Sequence, residues 1–345
     1  MSAKSFWAIT LILVAESCVD RIDIDFDAQT FHLVVDGFIS DQPGPYTIKL
    51  SQSFDIQSKT SFRLPVSAER VILSDDQGAV EMLTQPSRGT YVTNPKGIQG
   101  RVGGVYKIRI EFSNGLVYES KPDTICATGK VEKIYFRFRS DPSEQYVAGQ
   151  GATKHSFDVF FDALAGTRNN YRFLWKFTGT YKVNIACCSC WVPLSNDEPI
   201  VSDDQLIQAG HFIGIKAYNV PITGYTFLYK VYAQVDQKSL SHQAYNFWRA
   251  IRAQKDATGS LFQPVSGKIP TNLVQVSGPA SIVDGIFYAT SISGNAIYVT
   301  PADAPNPNWI PKLEFASGSA ILNPGYSCPA LFPNSTPVRP AYWED

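Results

Sequence analysis

The chain has 345 residues, and 30 basic against 31 acidic side chains leave it with almost no net charge. No run of lysine or arginine concentrates positive charge, which argues against nucleic acid as a partner. The 17 tyrosines, 21 phenylalanines, 22 prolines and 24 glycines predict a mainly β protein that is rich in turns.

The first 17 residues have the layout of a bacterial export signal. An uncharged apolar run at 6–15 would form a helix only about 15 Å long, about half of what spans a bilayer core. The run ends in "AESC", which resembles a lipobox with alanine in place of the usual leucine. We therefore expect removal of residues 1–17, lipidation of Cys18 and a lipid-anchored tether at 18–28. The alternative is an ordinary signal peptide followed by an incidental cysteine.

Residues 29–121 have the pattern of short strands separated by turns. Apolar and polar residues alternate in "TFHLVVDGFI", and the turn signals "DDQG" and "SNG" interrupt later strand-like segments. This pattern predicts a β-sandwich without a convincing helix. The order "PVSAERVILSDDQG" to "GTYVTNPKGIQGRVGGVYKIRIE" also resembles carboxypeptidase-regulatory-like and bacterial immunoglobulin-like modules. In those modules an equivalent stretch forms a sandwich that has no catalytic residues of its own.

A second, larger β-rich domain is predicted over 122–345, after the proline-containing joint "SKPDTICATGK". Its strand-like segments include "EKIYFRFR", "SFDVFFDA" and "YTFLYKVYAQVDQ". One helix is predicted near 241–254, with Ser241 as its N-cap. Four residues at helical spacing give this helix an apolar stripe that we expect to pack on a sheet: Ala244, Phe247, Trp248 and Ile251.

Five cysteines remain after Cys18, and all five are candidates for disulfides: Cys126, Cys187, Cys188, Cys190 and Cys328. An exported protein meets oxidising conditions, and an odd count leaves one thiol over. A bond between adjacent Cys187 and Cys188 would need a strained peptide. We therefore expect Cys126 and Cys328 each to pair with one cysteine of "CCSC", closing loops of about 60 and 140 residues for ~4 kcal/mol each. A zinc site is the alternative, although its fourth thiolate would have to come from far away in the chain.

The sequence makes no positive case for catalysis. It contains no GxSxG elbow, no HExxH pair, no P-loop and no dinucleotide fingerprint in the required context. The four histidines lie in no recognisable nucleophile motif: His32, His155, His211 and His242. We therefore expect a protein that is not an enzyme and that uses no cofactor or metal.

The segments "QKSLSHQAYNFWRAIRAQKDATGSLFQP", "VDGIFYATSISGNAIYV" and "CPALFPNSTPVRPAYWED" give the chain a family resemblance. Together with "DFDAQTFHLVVDGFISDQPGPYTIKLS" and the pair Cys190-Trp191, they resemble a Bacteroidota lipoprotein family. That family is catalogued only as a domain of unknown function (four-two-four-nine), and the resemblance covers nearly the whole mature chain.

The resemblance implies an outer-membrane lipoprotein whose gene lies beside that of a TonB-dependent transporter. The acidic stretch after Cys18 resembles the short surface signals of that phylum, so we expect the cell surface rather than the periplasmic face. It supplies no catalytic residues. The family commonly has a further cysteine shortly after the position of Cys328, which is absent here. Cys126 and the doubled Cys187-Cys188 differ from the family pattern, which hints that they pair with each other. Thr124, in Asp-Thr-Ile, fits the short O-glycosylation pattern of that phylum.

We therefore expect a non-enzymatic accessory or substrate-binding partner of a TonB-dependent transporter. Trp191 is the candidate interface residue, because aromatic side chains dominate interface anchors, and burial in the second domain is its alternative. The first alternative function is a structural subunit of a larger outer-membrane or cell-surface assembly. The second is a hydrolase with an unrecognised site.

Overall fold

The computed structural model describes residues 32–52, 64–147, 151–166, 171–196, 198–202, 207–257, 269–279, 281–309 and 325–344, without the side chains of residues 141–147, 151–153, 208 and 307. The predicted signal peptide, Cys18 and the tether at 18–28 lie outside this part of the chain. Within it, neither helix has the length and apolar character that crossing a bilayer requires.

The first ten strands of the described chain are short: His32–Ser40 (β1), Thr47–Gln52 (β2), Leu64–Pro65 (β3), Arg70–Asp75 (β4), Val80–Met82 (β5), Thr84–Ser87 (β6), Thr90–Val92 (β7), Val105–Glu111 (β8), Val117–Ser120 (β9) and Asp123–Thr124 (β10). Eight further strands precede the main helix: Lys130–Val147 (β11), Gly151–Leu164 (β12), Phe173–Asn184 (β13), Ser189–Ser195 (β14), Ile200–Val201 (β15), Ile207–Gln208 (β16), His211–Pro221 (β17) and Val231–Ser239 (β18).

The helix His242–Ala257 (α1) is followed by three more strands and a short C-terminal helix: Leu273–Ser277 (β19), Ile282–Thr290 (β20), Ile292–Val299 (β21) and Cys328–Leu331 (α2). Two single-turn 3-10 helices lie at Pro301–Asp303 and Pro307–Trp309. The described chain is therefore mainly β, and the predicted fold class is confirmed.

The first sandwich consists of two six-stranded sheets. One has the order β20-β1-β2-β7-β6 with β3 beside β2, and the other has the order β19-β9-β8-β4-β5 with β10 beside β8. Alternate residues of each strand face inward, so that Leu33 and Val35 of β1 meet Ile108 and Ile110 of β8 in one core. All four side chains are fully buried, which explains why the period-two pattern of the sequence is so regular here.

Two strands of the first sandwich come from the C-terminal half of the chain. β20 pairs in parallel with β1 over all nine residues, and β19 pairs antiparallel with β9. The structure thus departs from the predicted division at 121/122, because residues 273–290 complete the sheets of the first sandwich. Parallel strands cannot be joined by a tight turn and need a long connecting segment. Between β1 and β20 that segment includes the second sandwich and the helix.

The second sandwich packs a four-stranded sheet, in the order β11-β12-β17-β16, on a five-stranded sheet, in the order β14-β13-β18-β21 with β15 beside β13. Aromatic side chains fill its core: Phe157, Phe161, Phe173, Trp175, Phe177 and Phe212. Their rings meet edge-on or tilted, as Trp175 and Phe212 do at 4.9 Å between centroids. Because β21 directly follows β20, the chain passes between the two sandwiches several times.

Helix α1 lies at the junction of the two sandwiches. Ser241 caps it as predicted, since its Oγ accepts a hydrogen bond from the backbone N–H of Ala244 at 3.2 Å. The apolar stripe predicted for this helix packs against Ile286 and Tyr288 of β20 and against Leu174 of β13. The helix therefore contacts both sandwiches, which sets their spacing.

Asp123 joins three elements at the same junction. It is almost fully buried, and its carboxylate accepts hydrogen bonds from Gln243 of α1 at 2.7 Å and from the backbone N–H of Ala289 in β20 at 2.8 Å. Burial raises the pKa of Asp123, although these hydrogen bonds and one from Ser241 act in the opposite direction. The junction is therefore held by specific polar contacts as well as by apolar packing.

Candidate functional site

A cavity of about 430 Å³ lies where the outer face of β1 and β2 meets β13, β18 and α1. We call it the junction cleft and define it by six of its lining residues: Phe38, Lys49, Lys176, Lys238, Trp248 and Tyr288. Both sandwiches and the helix contribute to it. Its volume falls within the range of small-molecule sites, which are concave, largely apolar and equipped with a few polar groups.

Lys238 is the most unusual residue of the junction cleft. Its place in β18, between β13 and β21, turns its side chain toward the first sandwich, and only 7 % of the residue is exposed. Its Nζ lies 3.8 Å from the ring centroid of Phe38, a cation–π contact. Burial, followed by the neighbouring charge of Lys176, lowers the pKa of Lys238 to about 8.

Aromatic rings form a continuous wall beside Lys238. The ring centroids of Phe38 and Tyr288 are 5.5 Å apart, and those of Tyr288 and Trp248 are 6.2 Å apart in an edge-on arrangement. Tyr288 is almost fully buried, and burial raises the pKa of its phenol. This wall offers a flat apolar surface to a molecule in the cleft.

One hydrogen-bond donor in this wall has no acceptor. The indole Nε1 of Trp248 is buried and lacks a hydrogen-bond partner among the described residues. A buried donor without a partner is costly in a folded protein and marks a place where a bound group could lie. Asp36 and Glu198 also line the cleft, so its polar groups include both signs of charge.

The junction cleft continues into a second, wider depression of about 710 Å³. The two share a wall formed by Trp175, Asn196, Glu198 and Pro199. The second depression is more polar at its rim, where Arg252 pairs with Asp256 of the same helix at 3.7 Å.

The cysteine cluster lies at the far end of the second sandwich, at the tip of the β13–β14 hairpin. Cys190 is joined to Cys328 of α2, with 5.5 Å between their Cα atoms, and both residues are buried. This long-range disulfide agrees with the pairing expected for Cys328. The structure also joins adjacent Cys187 and Cys188, a bond that the sequence disfavours because it needs a strained peptide.

The predicted pairing of Cys126 with the cluster is wrong in the structure, where Cys126 is a free, half-buried thiol. It lies beside Ser239, whose hydroxyl donates to the Cys126 carbonyl, at the junction end of β18. The cluster follows β13, whose residue Phe173 pairs with Ser239 but whose other end, Asn184, is roughly 35 Å further along the strand. The length of β13 therefore separates the thiols.

Three sulfur atoms of the cluster, those of Cys188, Cys190 and Cys328, lie within 4.8 Å of one another. The Cys188 and Cys328 sulfurs are 3.7 Å apart. Zinc binds cysteine as the thiolate. Cys190 and Cys328 form a disulfide, so neither of them is a thiolate. The arrangement is thus that of a structural cross-link between β14 and the C-terminal segment.

Trp191 is buried, so in this structure its side chain does not offer a contact surface to a partner. It is 8 % exposed and packs with Tyr232 and Trp343 on the outer face of the second sandwich. Its backbone exchanges two hydrogen bonds with Thr336, which brings the C-terminal segment over the ring. That cover explains why an aromatic residue on an outward face is hidden from solvent.

Thr124 lies in β10 with its side chain exposed, next to buried Asp123. O-glycosylation of Thr124 and lipidation of Cys18 stay predictions, and Cys18 lies outside the described residues. The residues of the junction cleft were not predicted. Alternation in "YAQVDQKSL" places Lys238 on the same face as Asp236, a pattern typical of a wet strand face. Phe38, an aromatic residue on the polar face of β1, is the one signal that could have pointed to a covered surface.

Comparison with known proteins gives one family and no curated relative. A family model described as Domain of unknown function (DUF4249) matches residues 19–294, which is most of the chain. The predicted family resemblance is therefore confirmed. A search of curated proteins finds no match.

Proposed function

The chain belongs to the family described as Domain of unknown function (DUF4249), and we propose that it is a non-enzymatic binding protein that holds a small ligand in the junction cleft. One observation carries this proposal. A buried lysine, an indole N–H without an acceptor among the described residues and an aromatic wall all belong to the lining of one cavity between two sandwiches. Pockets with a few convergent polar groups and a shifted pKa are the usual places for ligands.

The chemistry of the cleft favours binding over catalysis. Lys238 and Trp248 present hydrogen-bond donors, and Phe38 and Tyr288 present flat apolar surface. Such groups hold and orient a molecule. Hydrolysis would need an activated nucleophile, or a water molecule positioned beside a general base. We assign neither arrangement to the residues of this cleft. A hydrolase thus remains an alternative that activity assays test directly.

The cellular setting of this binding protein rests on the leader and on the family resemblance. We place the protein at the outer membrane, anchored by acyl chains on Cys18, as the accessory or substrate-binding partner of a TonB-dependent transporter. The family match begins at residue 19, directly after Cys18. Several acyl chains hold a protein firmly, at ~0.8 kcal/mol for each buried CH₂, and tethering raises its local concentration around membrane partners.

A ligand screen by thermal shift tests the proposal, because a ligand that binds only the folded state must raise the Tm. Thr47 lines the cleft with an exposed side chain, so Thr47→Trp should fill the site and abolish the shift. Thr84 is also exposed on a strand, lies two strands from Thr47 in the same sheet and does not line the cleft, so Thr84→Trp is the matched control.

Each outcome of the screen has a defined meaning. Stabilisation that Thr47→Trp removes and Thr84→Trp retains supports the proposed site. Compounds that stabilise both variants equally bind elsewhere and contradict it. If no compound stabilises the wild-type chain, the structural-subunit alternative is favoured. If compounds are turned over, the hydrolase alternative is favoured. Co-purification of a β-barrel transporter in mild detergent tests the partner separately.

A further inference from the structure

The chemistry of the junction cleft narrows the class of ligand, and this inference rests on the proposed function. Its starting point is Lys238, a residue that is only 7 % exposed. Within the described part of the chain, no carboxylate lies close enough to Nζ to form an ion pair with it. The opposite charges that act on it from a longer distance are those of Asp36 and Asp236. Its Nζ also makes a cation–π contact with the face of the Phe38 ring.

A buried cation without a direct counter-ion is unfavourable, because burial penalises the charged form. The other charged residues of the cleft balance one another, since Lys49 and Lys176 line it together with Asp36 and Glu198. A cationic ligand would be repelled by the ammonium group of Lys238. A neutral ligand would leave the ammonium group without a charge partner. An anionic ligand removes the penalty by supplying the missing charge.

The number of donors limits the size of the anionic group. In addition to the ammonium group of Lys238, the cleft contains the indole N–H of Trp248, which is buried and has no acceptor among the described residues. One buried cation and one buried neutral donor suit the two oxygens of a carboxylate. A phosphate group carries more charge and more acceptor oxygens than this pair satisfies.

The remaining surface of the cleft describes the rest of the ligand. Phe38, Tyr288 and Trp248 follow one another with ring centroids 5.5 and 6.2 Å apart. Aromatic faces and edges of this kind hold flat apolar groups. We infer that the junction cleft binds a small organic carboxylate with a planar apolar part, its carboxylate between Lys238 and Trp248.

Phenylacetate and phenylacetamide are suitable probes, because they match in shape and differ in charge. Isothermal titration calorimetry at pH 7 should show that wild-type protein binds phenylacetate about tenfold more tightly than phenylacetamide, the difference expected for one charge-assisted hydrogen bond. Lys238→Met keeps the length of the side chain and removes the charge, so it should abolish this preference. Lys107 is exposed on β8, and Lys107→Met should retain the preference.

A second variant keeps the test decisive if Lys238→Met does not fold. Trp248→Phe retains an aromatic ring and removes the N–H, so it should weaken phenylacetate binding about threefold to tenfold and leave phenylacetamide binding nearly unchanged. Equal affinity of wild-type protein for the two probes would overturn the inference, and so would a preference that survives Lys238→Met.

The failure of this inference can be told apart from the failure of the proposed function. If neither probe binds but uncharged compounds stabilise the protein in a manner sensitive to Thr47→Trp, the ligand class is wrong and the binding site stands. If neither the probes nor any screened compound binds the cleft, both are contradicted.

Discussion

The two sandwiches are completed by different means. The first sandwich has no cross-link in its described residues, and two of its strands, β19 and β20, follow most strands of the second sandwich in the chain. The second is built from strands nearer in sequence, and the Cys190–Cys328 disulfide fixes its C-terminal segment. The difference shows that the first sandwich depends on the rest of the chain. The cleft is accordingly lined by residues of both sandwiches.

The largest expected effect comes from cutting the chain at the predicted boundary. Residues 29–121 alone lack β10, β19 and β20, which leaves β1 and β9 with unpaired edges and part of the core open. We expect this fragment to show no cooperative thermal unfolding by circular dichroism. A matched fragment, residues 29–126 followed through a flexible linker by residues 269–291, should regain a cooperative transition. Cooperative unfolding of the short fragment would contradict this description of the first sandwich.

The next largest effect concerns the cross-link of the second sandwich. The disulfide joins residues separated by 138 positions, and the chain-entropy model gives about 5 kcal/mol for a loop of that length. Cys328→Ser should therefore lower the free energy of unfolding by up to about 5 kcal/mol in urea titrations. Cys126→Ser is the control, since that thiol is free, and should change stability by less than about 1 kcal/mol. Equal effects of the two substitutions would argue against the pairing.

The buried lysine predicts a pH dependence of stability at the junction. The pKa of Lys238 is about 8 in the folded chain against 10.5 ordinarily, so between these values the unfolded state binds more protons and stability rises with pH. Relative to Lys238→Met, the wild-type chain should gain up to about 3 kcal/mol from pH 7 to pH 10.5. The charged and titratable groups that act on Lys238 or line the same cleft are Asp36, Lys49, Lys176, Glu198, Asp236 and Tyr288.

Urea unfolding of both chains at the two pH values measures this change. Because the other groups titrate in both chains, their contributions cancel to first order in the difference. A difference in stability that does not change with pH would show that Lys238 is not charged in a buried setting.

The smallest of these effects concerns the polar contacts of Asp123. Asp123→Ala leaves the buried N–H of Ala289 without its acceptor, which should cost about 2 kcal/mol in urea titrations. Gln243→Ala removes only the contact with the helix and retains the one with β20, so its cost should be smaller. If Gln243→Ala costs as much as Asp123→Ala, the contact with β20 contributes nothing.

The sequence predicts the local structure of this protein far better than its long-range partners. Alternation in "TFHLVVDGFI" indicates β1, and Ser241 with the apolar stripe indicates α1, because both signals depend on neighbouring residues. The parallel pairing of β1 with β20 is not visible in this way, since period-two alternation does not say which strand lies alongside. Because of that pairing, residues 273–290 belong to the first sandwich and not to the predicted second domain.

The candidate site was missed for the same reason. Lys238 follows Gln234 and Asp236 at every second position, so the sequence alone predicts an exposed lysine. It is buried because the first sandwich and α1 cover that end of β18, a consequence of tertiary packing. Trp248 was correctly predicted to pack on a sheet, but nothing in its spacing indicates that its indole N–H lacks an acceptor.

The indole N–H of Trp248 offers the most direct test that the junction cleft is a binding site. In ¹H–¹⁵N NMR spectra each tryptophan gives one indole signal, and Trp248→Phe identifies the one from the cleft. Titration with phenylacetate should move this signal in a saturable way. It should leave in place the signal of Trp343, which packs against Tyr232 at the other end of β18. If the Trp248 signal does not move, or if all indole signals move together, the cleft does not hold the ligand and the proposed function is contradicted.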